Sequence, residues 1–136
     1  MNIANLEPLD IAPCGVNCRA CSAWLNVQNP CPGCRAPEGS ITRKSCKNCA
    51  MKKCAFEKKL SWCFECECFP CSKIKDLSKR YQKYYHVNLI ENGINARENM
   101  GLFIEKQIER FTCRYCGGTI DQHNRRCSIC ANDECL

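Results

Sequence analysis

The sequence predicts a small α+β protein that is stabilised by metal ions, and three observations support this fold class. Seventeen of the 136 residues are cysteines, and most of them form C-x-x-C pairs. A C-x-x-C turn directs two sulfurs to one point, as half of a tetrahedral metal site requires. Without the cysteines, hydrophobic residues make up about a third of the chain, which is little for a purely hydrophobic core.

The distribution of the cysteines predicts three zones. Residues 1–71 contain twelve cysteines, residues 72–111 contain none, and residues 112–136 contain five. The first zone is interrupted by prolines and glycines, which favour turns. We therefore expect a loop-rich multi-zinc domain over residues 1–71, a short helical segment over 72–111 and a zinc ribbon over 112–136.

The first helices are predicted by apolar spacing and by capping residues. Within the first zone, short helices are expected at about residues 18–27 and 50–60. In the middle zone, Ser72 is placed to cap a helix whose apolar side chains recur at helical spacing as far as Tyr85. Aromatic residues of the first zone are expected to pack in small clusters around the metals.

Two more helices are predicted in the middle zone. Asn88 is followed three residues later by Glu91, a pair that resembles a capping box and predicts a helix start. Gly93 weakens that helix, because glycine loses more backbone entropy than other residues on ordering. A third helix is expected over residues 100–111, where apolar residues form one stripe.

The last zone contains the strongest metal-site pattern in the chain. Its two C-x-x-C pairs are separated by ten residues. Gly117 and Gly118 follow the first pair and allow the tight turn that a zinc knuckle needs, and a short hairpin is expected from Thr119. Four thiolates without an open position indicate a structural site. His123 is either a substitute ligand or a surface residue. The predicted ligands are Cys113, Cys116, Cys127 and Cys130.

The twelve N-terminal cysteines predict two or three further sites, which gives three or four zinc ions in total. One predicted site comprises Cys14, Cys18, Cys31 and Cys34. A second comprises Cys46, Cys49, Cys63 and Cys66. A third set, which could also stay partly as buried thiols, comprises Cys21, Cys54, Cys71 and, as an optional ligand, Cys68. Spacing cannot determine the pairing of interleaved sites, so Cys21 could replace Cys18, and Cys68 or Cys71 could replace a member of the second site. Cys135 is left over.

The identity of the metal follows from the expected compartment. Residues 1–13 lack a secretory signal, and no stretch reaches the ~18 apolar residues of a membrane span. We therefore expect a cytoplasmic protein with reduced thiols, in which cysteine pairs bind zinc. Iron–sulfur clusters in the N-terminal region are the alternative, because all-thiolate ligation suits them as well.

The charge of the chain gives little support for general nucleic-acid binding. The formal net charge is +6, but a zinc ion with four thiolates carries −2, so three sites would bring the total to zero and four to −2. Residues 41–61 contain seven basic residues and one acid, and these charges either face phosphates or offset nearby thiolates. The partner is expected to be a protein or a nucleic acid, without membrane binding and without an evident small-molecule substrate.

Several segments together resemble one known family. They are Cys14-Gly-Val-Asn-Cys18-Arg-Ala-Cys21, Cys31-Pro-Gly-Cys34, Cys54, and Trp62-Cys63-Phe-Glu-Cys66-Glu-Cys68-Phe-Pro-Cys71. This order is similar to the small cysteine-rich prokaryotic proteins called domain of unknown function 3795. The C-terminal pairs resemble longer members of that family, and the likeness covers most of residues 12–130. The resemblance implies a prokaryotic cytoplasmic protein that binds zinc and implies no reaction, although an acidic residue is commoner at the position of Cys68.

The function expected from the sequence is therefore that of a zinc-stabilised binding module. The chain contains two histidines and lacks a Ser–His–Asp order, a glycine-rich phosphate loop and a zinc-hydrolase motif, so we do not predict an enzyme. An iron–sulfur or thiol-based redox protein is the alternative function. Surplus cysteines such as Cys135 also suggest a zinc store or a thiol sensor, which would need exposed thiolates of low pKa.

Overall fold

Helices form the middle of the chain, whereas the cysteine-rich segments consist mainly of turns. The computed structural model describes residues 3–41, 46 and 49–134. Within these residues the α-helices are α1 (Ala50–Glu57), α2 (Ser72–Tyr85), α3 (Leu89–Glu98) and α4 (Met100–Phe111). An antiparallel hairpin pairs β1 (Ile120–Asp121) with β2 (Arg126–Cys127). Single 3-10 turns lie at Ile3–Asn5, Pro8–Asp10, Cys18–Ala20, Glu38–Ser40 and Cys63–Glu65. No helix among the described residues has the length and apolar character needed to cross a bilayer.

The prediction of a helix over residues 18–27 is wrong. The segment forms only the 3-10 turn Cys18–Ala20, followed by further turns. The side-chain oxygen of Asn26 accepts hydrogen bonds from the N–H groups of Gln28 and Asn29, at 3.0 and 3.2 Å. Such local side-chain bonds give the backbone an alternative to helical hydrogen bonding.

Helix α1 begins where the sequence predicts and ends earlier. Lys59 adopts a left-handed conformation with φ 59°. The Lys59 N–H donates to the Phe56 carbonyl at 3.0 Å, and the Leu60 N–H donates to the Ala55 carbonyl at 2.8 Å. This pair of bonds is a Schellman motif, which satisfies the last carbonyls of a helix and turns the chain away.

The predicted start of α3 is confirmed, and the predicted cap of α2 is wrong. The Asn88 side-chain oxygen accepts a hydrogen bond from the Glu91 N–H at 3.0 Å and caps α3. In α2, Ser72 is the first helical residue and Cys71 occupies the capping position. The helix starts one residue early because the Lys75 N–H donates to the Cys71 carbonyl at 2.9 Å.

One hydrophobic core joins the three zones of the sequence. Side chains from the N-terminal turns pack against α4 and against the hairpin, and two cysteines of the last zone are buried in the same core. The domain boundaries stay a prediction, but the packing of the described residues crosses both of them. Central members of this core are Ile3, Leu6, Ile11, Phe103, Phe111, Cys113, Ile120 and Cys127.

A buried polar network connects the same three zones. The Asn17 side chain donates to the Gln107 side-chain oxygen at 3.2 Å. The Gln122 side chain donates to the Asn17 carbonyl at 2.8 Å, and the Gln122 N–H donates to the Ala20 carbonyl at 2.9 Å. Asn17, Gln107 and Gln122 are all buried. Because buried polar groups need partners, these bonds determine how the N-terminal turn, α4 and the hairpin fit together.

A second core lies between the N-terminal loop, α2 and the start of α3, with Ile74 and Leu89 fully buried. Nearby, Phe69 packs directly on Gly93 of α3. A Cβ atom at Gly93 would lie 2.4 Å from Cζ of the Phe69 ring. The glycine that weakens α3 in isolation is therefore required for the contact between the Cys63–Cys71 segment and this helix.

Candidate metal centre

The four C-terminal cysteines come together in the arrangement of a tetrahedral metal site. Their sulfurs all lie within 4.8 Å of one another. The sulfurs of Cys113 and Cys130 are 3.7 Å apart, and those of Cys116 and Cys127 are 3.5 Å apart. Tetrahedral zinc with Zn–S bonds of about 2.3 Å holds its sulfurs roughly 3.8 Å apart. Among the residues that the structure describes, only these four form such a group.

Backbone N–H groups point at the sulfurs of this cluster. The N–H groups of Tyr115, Gly118 and Ile129 donate to the sulfurs of Cys113, Cys116 and Cys127, respectively, each at 3.4 Å. Donors fixed in the backbone stabilise negative charge on sulfur, so each C-x-x-C turn favours a thiolate.

The two glycines after Cys116 have different physical roles. Gly117 has φ +76°, a conformation that glycine adopts without steric cost, as the knuckle pattern predicts. Gly118 has no positive φ, and a Cβ atom there would lie 2.7 Å from Ile129 Cγ1. Gly118 therefore allows the two C-x-x-C turns to approach each other closely.

The pKa values of Cys127 and Cys130 are shifted in opposite directions. Burial raises the pKa of Cys127, but hydrogen bonds from the N–H groups of Cys130 and Ile129 bring that pKa below its ordinary value. The Asn132 N–H lowers the pKa of Cys130. Burial and the hydrogen bonds to Cys116 and Cys113 have the larger, opposite effect, so the pKa of Cys130 is raised to about 12. A metal ion would replace these protons, since only the thiolate binds.

His123 lies outside the sulfur cluster and is only partly exposed. It is half-buried, and its Nδ1 accepts a hydrogen bond from the Ser22 N–H at 3.2 Å. Its Nε2 lies 3.1 Å from the Tyr81 hydroxyl, and its ring meets the Tyr85 ring edge to face at 4.8 Å. With Nδ1 as the acceptor, the proton of the neutral ring sits on Nε2. His123 therefore joins the hairpin loop to α2 and to the N-terminal turns.

A second group of thiols surrounds Cys34. The sulfurs of Cys18 and Cys34 are 3.5 Å apart. The hydrogen bond with Cys18 raises the pKa of Cys34, and the thiol of Cys46 forms a further hydrogen bond with Cys34. Burial raises the pKa of Cys14, whose charged neighbours are Cys49, Cys34 and Cys63. The group thus combines members of both predicted N-terminal sites: Cys14, Cys18, Cys34, Cys46 and Cys49.

The turn at Cys14 repeats the geometry of the turn at Cys116. Gly15 follows Cys14 with φ +96°, and the Val16 N–H donates to the Cys14 sulfur. The Cys-Gly sequence at positions 14 and 15 carries the signal for this turn, which the sequence analysis did not predict. The structure therefore shows at Cys14 a backbone arrangement that suits a metal-binding thiolate.

Cys31 and Cys34, two members of the first predicted site, are joined by a turn in which Gly33 has φ +101°. Cys31 is buried, and its N–H donates to the Ala23 carbonyl at 2.8 Å. The ligand roles of Cys31 and Cys21 stay predictions. Cys135 lies outside the described residues.

A third group of thiols surrounds Cys63. Cys54, Cys63, Cys66, Cys68 and Cys71 line one cavity, and burial raises the pKa of Cys63 to about 12. Cys68 is exposed, whereas Cys54, Cys63, Cys66 and Cys71 are partly buried.

Two lysines of the basic 41–61 segment contact this cysteine-rich region. Lys52 is buried, and its Nζ donates to the Cys46 carbonyl at 2.9 Å. The Lys58 Nζ donates to the Cys66 sulfur at 3.3 Å. The hydrogen bond from the Cys68 N–H, together with this bond from Lys58, lowers the pKa of Cys66. No motif in the sequence identified these two contacts. Of the other five basic residues, Lys53 and Lys59 are exposed, and those at positions 43, 44 and 47 lie outside the described residues.

Fold and site together define a small, cysteine-rich helical protein with a C-terminal four-cysteine cluster that could hold a metal ion. Residues 10–76 match the model of a family described as protein of unknown function (DUF3795). The resemblance seen in the cysteine motifs is thereby confirmed for these residues. No curated protein and no solved structure matches the chain.

Proposed function

We propose that Cys113, Cys116, Cys127 and Cys130 bind one zinc ion in a closed structural site of the zinc-ribbon type. The observation that carries this proposal is the approach of all four sulfurs to within 4.8 Å of one another. Every position of the tetrahedron is a protein thiol, which leaves no place for a catalytic water. The zinc would replace thiol protons and fix the two C-x-x-C turns against each other.

The position of this cluster supports a scaffolding role. Cys113 and Cys127 belong to the hydrophobic core that also contains the N-terminal turns and α4. Free energy from metal binding would therefore stabilise elements far along the chain, since metal binding is coupled to folding. The cluster around Cys113 supports one metal ion, and the further ions expected among the N-terminal cysteines stay a prediction.

Metal content per chain tests the zinc site. We expect one zinc ion fewer in the Cys116→Ser variant than in the wild-type chain, and a cobalt-loaded wild-type protein should show the intense absorption of tetrahedral thiolate ligation. Cys68→Ser is the matched control, because Cys68 is also exposed and lies far from this cluster in sequence. An unchanged zinc content in Cys116→Ser would contradict the proposed site.

We further propose that the chain is a binding module, and its exposed charge favours a nucleic-acid backbone as the partner. Helix α2 carries one acid, Asp76, and five exposed basic side chains. We call these five the basic face of α2. Tyr84 on the same helix is 58% exposed and could stack on a base. The basic face of α2 comprises Lys73, Lys75, Lys79, Arg80 and Lys83.

The salt dependence of binding tests whether the partner is a nucleic acid. Binding of the metal-loaded chain to mixed-sequence single-stranded RNA and duplex DNA would be measured by fluorescence anisotropy from low to physiological salt. Replacing Lys75, Lys79 and Lys83 by Gln should reduce the slope of log K against log salt by about 2 to 3. The control replaces Lys53, Lys59 and Lys106, which are exposed outside α2, and should leave the slope nearly unchanged. Absence of binding at low salt would exclude this partner and favour a protein.

A further inference from the structure

A polar cavity of about 420 Å³ lies between α3 and α4, outside the residues 10–76 that match the family model. Its volume is within the range of small-ligand pockets. Three asparagines and a glutamine line it, together with two acids from α3 and two bases from α4. Neither the zinc site nor the basic face of α2 includes any of these side chains. We call this cavity the α3–α4 groove.

Gln107 is a buried amide that lines the α3–α4 groove, and only 6% of the residue is exposed. Its Oε1 accepts a hydrogen bond from the Asn17 side chain at 3.2 Å, which fixes the orientation of the amide. Among the described residues, no group accepts a hydrogen bond from its Nε2. Because a buried polar group ordinarily has a partner, this donor is available to a molecule bound in the groove.

Two of the asparagines in the groove are oriented by hydrogen bonds that they already make. The Asn92 Nδ2 donates to the Gly15 carbonyl at 3.3 Å, so its Oδ1 remains as an acceptor. The Asn99 Oδ1 accepts from the Leu102 N–H at 3.1 Å and caps α4, so its Nδ2 remains as a donor. Asn95 is exposed and lies between them along the same face of α3. The groove therefore presents both donors and acceptors whose orientation is fixed by the fold.

Opposite charges line the two sides of the groove without meeting. Glu91 and Glu98 lie on the α3 side, and Lys106 and Arg110 lie on the α4 side. Among the described residues no ion pair joins these acids to these bases. Arg110 instead donates to the His86 carbonyl at 2.8 Å. Charges held apart in this way can each pair with a ligand that lies between them.

An extended peptide matches this pattern of groups. Each peptide unit has one N–H donor and one carbonyl acceptor, and a carboxamide side chain can bond to both. From Glu91 to Glu98 helix α3 rises about 10 Å, which is the length of about three extended residues. Lys106 and Arg110 are about 6 Å apart along α4, and side chains two positions apart on one face of a strand have a spacing of ~6.6 Å. The α4 side therefore suits two acids separated by one residue, whose own side chain points toward the acids of α3.

We propose that the α3–α4 groove binds an extended segment of a partner protein in which a basic residue stands between two acidic ones. The Gln107 Nε2 donates to a main-chain carbonyl of this segment, and the Asn92 Oδ1 accepts from a main-chain N–H. Lys106 and Arg110 pair with its two acids, and the acids of α3 pair with its base. This inference goes beyond the proposed function, because recognition by the groove requires neither the identity of the metal nor the basic face of α2.

The first experiment is an NMR titration of the isotope-labelled full chain with the peptide Glu-Lys-Glu, acetylated at its N-terminus and amidated at its C-terminus. The side-chain amide resonances of Gln107 and Asn95 should shift and saturate as peptide is added. The control peptide Glu-Glu-Lys has the same composition, but its two acids point to opposite faces. It should bind about two- to fivefold more weakly, since it loses one exposed ion pair. Unshifted resonances of Gln107 and Asn95, or equal affinity for both peptides, would overturn the proposal.

Variants of two exposed groove residues measure the contribution of each side. Asn95 and Lys106 form no side-chain hydrogen bond and no ion pair within the described residues, so the substitutions should leave the fold intact. Asn95→Ala should weaken binding of Glu-Lys-Glu about two- to tenfold, and Lys106→Gln about two- to fivefold. Lys53→Gln is the matched control, because Lys53 is also an exposed helical lysine and does not line the groove. Wild-type affinity in both groove variants would contradict the proposed site.

Two further probes of the wild-type chain distinguish a peptide from other occupants of the groove. Free glutamate and free lysine lack peptide bonds and should shift the Gln107 resonance much less than Glu-Lys-Glu at equal concentration. A mixed-sequence single-stranded RNA oligomer should leave the groove resonances unshifted. If a free amino acid binds as tightly as the peptide, the groove is a small-molecule site and the proposal is wrong. If the RNA shifts the groove resonances and the peptide does not, the groove belongs to a nucleic-acid interface and the proposal is wrong as well.

Discussion

The two cysteine-rich regions of this chain use the same C-x-x-C spacing and gather their sulfurs in different ways. In the C-terminal region all four sulfurs come from residues 113–130 and meet within 4.8 Å. In the N-terminal region, Cys18 meets Cys34 from 16 residues away, and the thiols near Cys63 come from α1, a 3-10 turn and the start of α2. The comparison shows that a C-x-x-C pair specifies a local turn, whereas its partner is specified by packing.

The two regions nevertheless share one backbone device. In both turns a glycine at positive φ follows the cysteine, at Gly117 and at Gly15. In both, the cysteine sulfur accepts a hydrogen bond from the N–H of the residue two positions later, which is Gly118 for Cys116 and Val16 for Cys14. This shared turn indicates that nearby backbone N–H groups stabilise a thiolate in both regions. The hairpin then brings two such turns together in the C-terminal region, while helices and long loops do so in the N-terminal region.

Removal of metal should have the largest effect on protection from hydrogen exchange, and the loss should be greater in the cysteine-rich turns than in helix α4. With a strong chelator we expect the turns of residues 3–41 and 113–134 to lose protection of their amide hydrogens from exchange. Structural zinc sites contribute on the order of 10 kcal/mol to folding in small domains. Helix α4 has capped hydrogen bonds of its own and should retain more protection. Hydrogen exchange followed by mass spectrometry measures both. Uniform protection before and after chelation would show that neither region depends on metal.

Within the C-terminal cluster, a buried ligand should matter more than an exposed one. Cys113 is 2% exposed and packs in the main core, whereas Cys116 is exposed. Both serine variants lose a ligand, but Cys113→Ser also buries a hydroxyl among apolar side chains, at an additional cost of about 1 to 3 kcal/mol. Urea unfolding of the two variants under equal zinc concentrations measures the difference. An equal loss in the free energy of unfolding of the two variants would mean that burial of Cys113 in the core adds nothing to its role as a ligand.

A smaller effect should separate two helical glycines that the sequence does not distinguish. Gly93→Ala places a Cβ atom against the Phe69 ring, so we expect a loss of about 1 to 3 kcal/mol from overpacking. Gly101→Ala in α4 is the control: its Cβ would meet only Asn99 Oδ1 at 3.6 Å, and the gain in helix propensity should stabilise by up to ~1 kcal/mol. Thermal melting of both variants tests this, and a stabilised Gly93→Ala would refute the proposed contact.

Local signals predicted a substantial part of the fold. The asparagine before α3 and the apolar stripe of α4 predicted these helices because caps and periodicity act within a few residues. The prediction of a helix over residues 18–27 was wrong because Asn26 forms competing local bonds. The hydrogen bonds of His123 could not be predicted because its partners lie on α2 and in the N-terminal turns, far away in sequence.

The sequence by itself determined that cysteines dominate the chain, where α3 and α4 begin, and which four residues form the C-terminal cluster. These features depend on interactions within single turns or on a short hairpin. Only the tertiary structure decided that Cys34 neighbours Cys18 and Cys46, and that Lys52 is buried rather than part of a basic surface. The physical reason is that such contacts arise when separate elements pack, and no spacing along the chain specifies which elements meet.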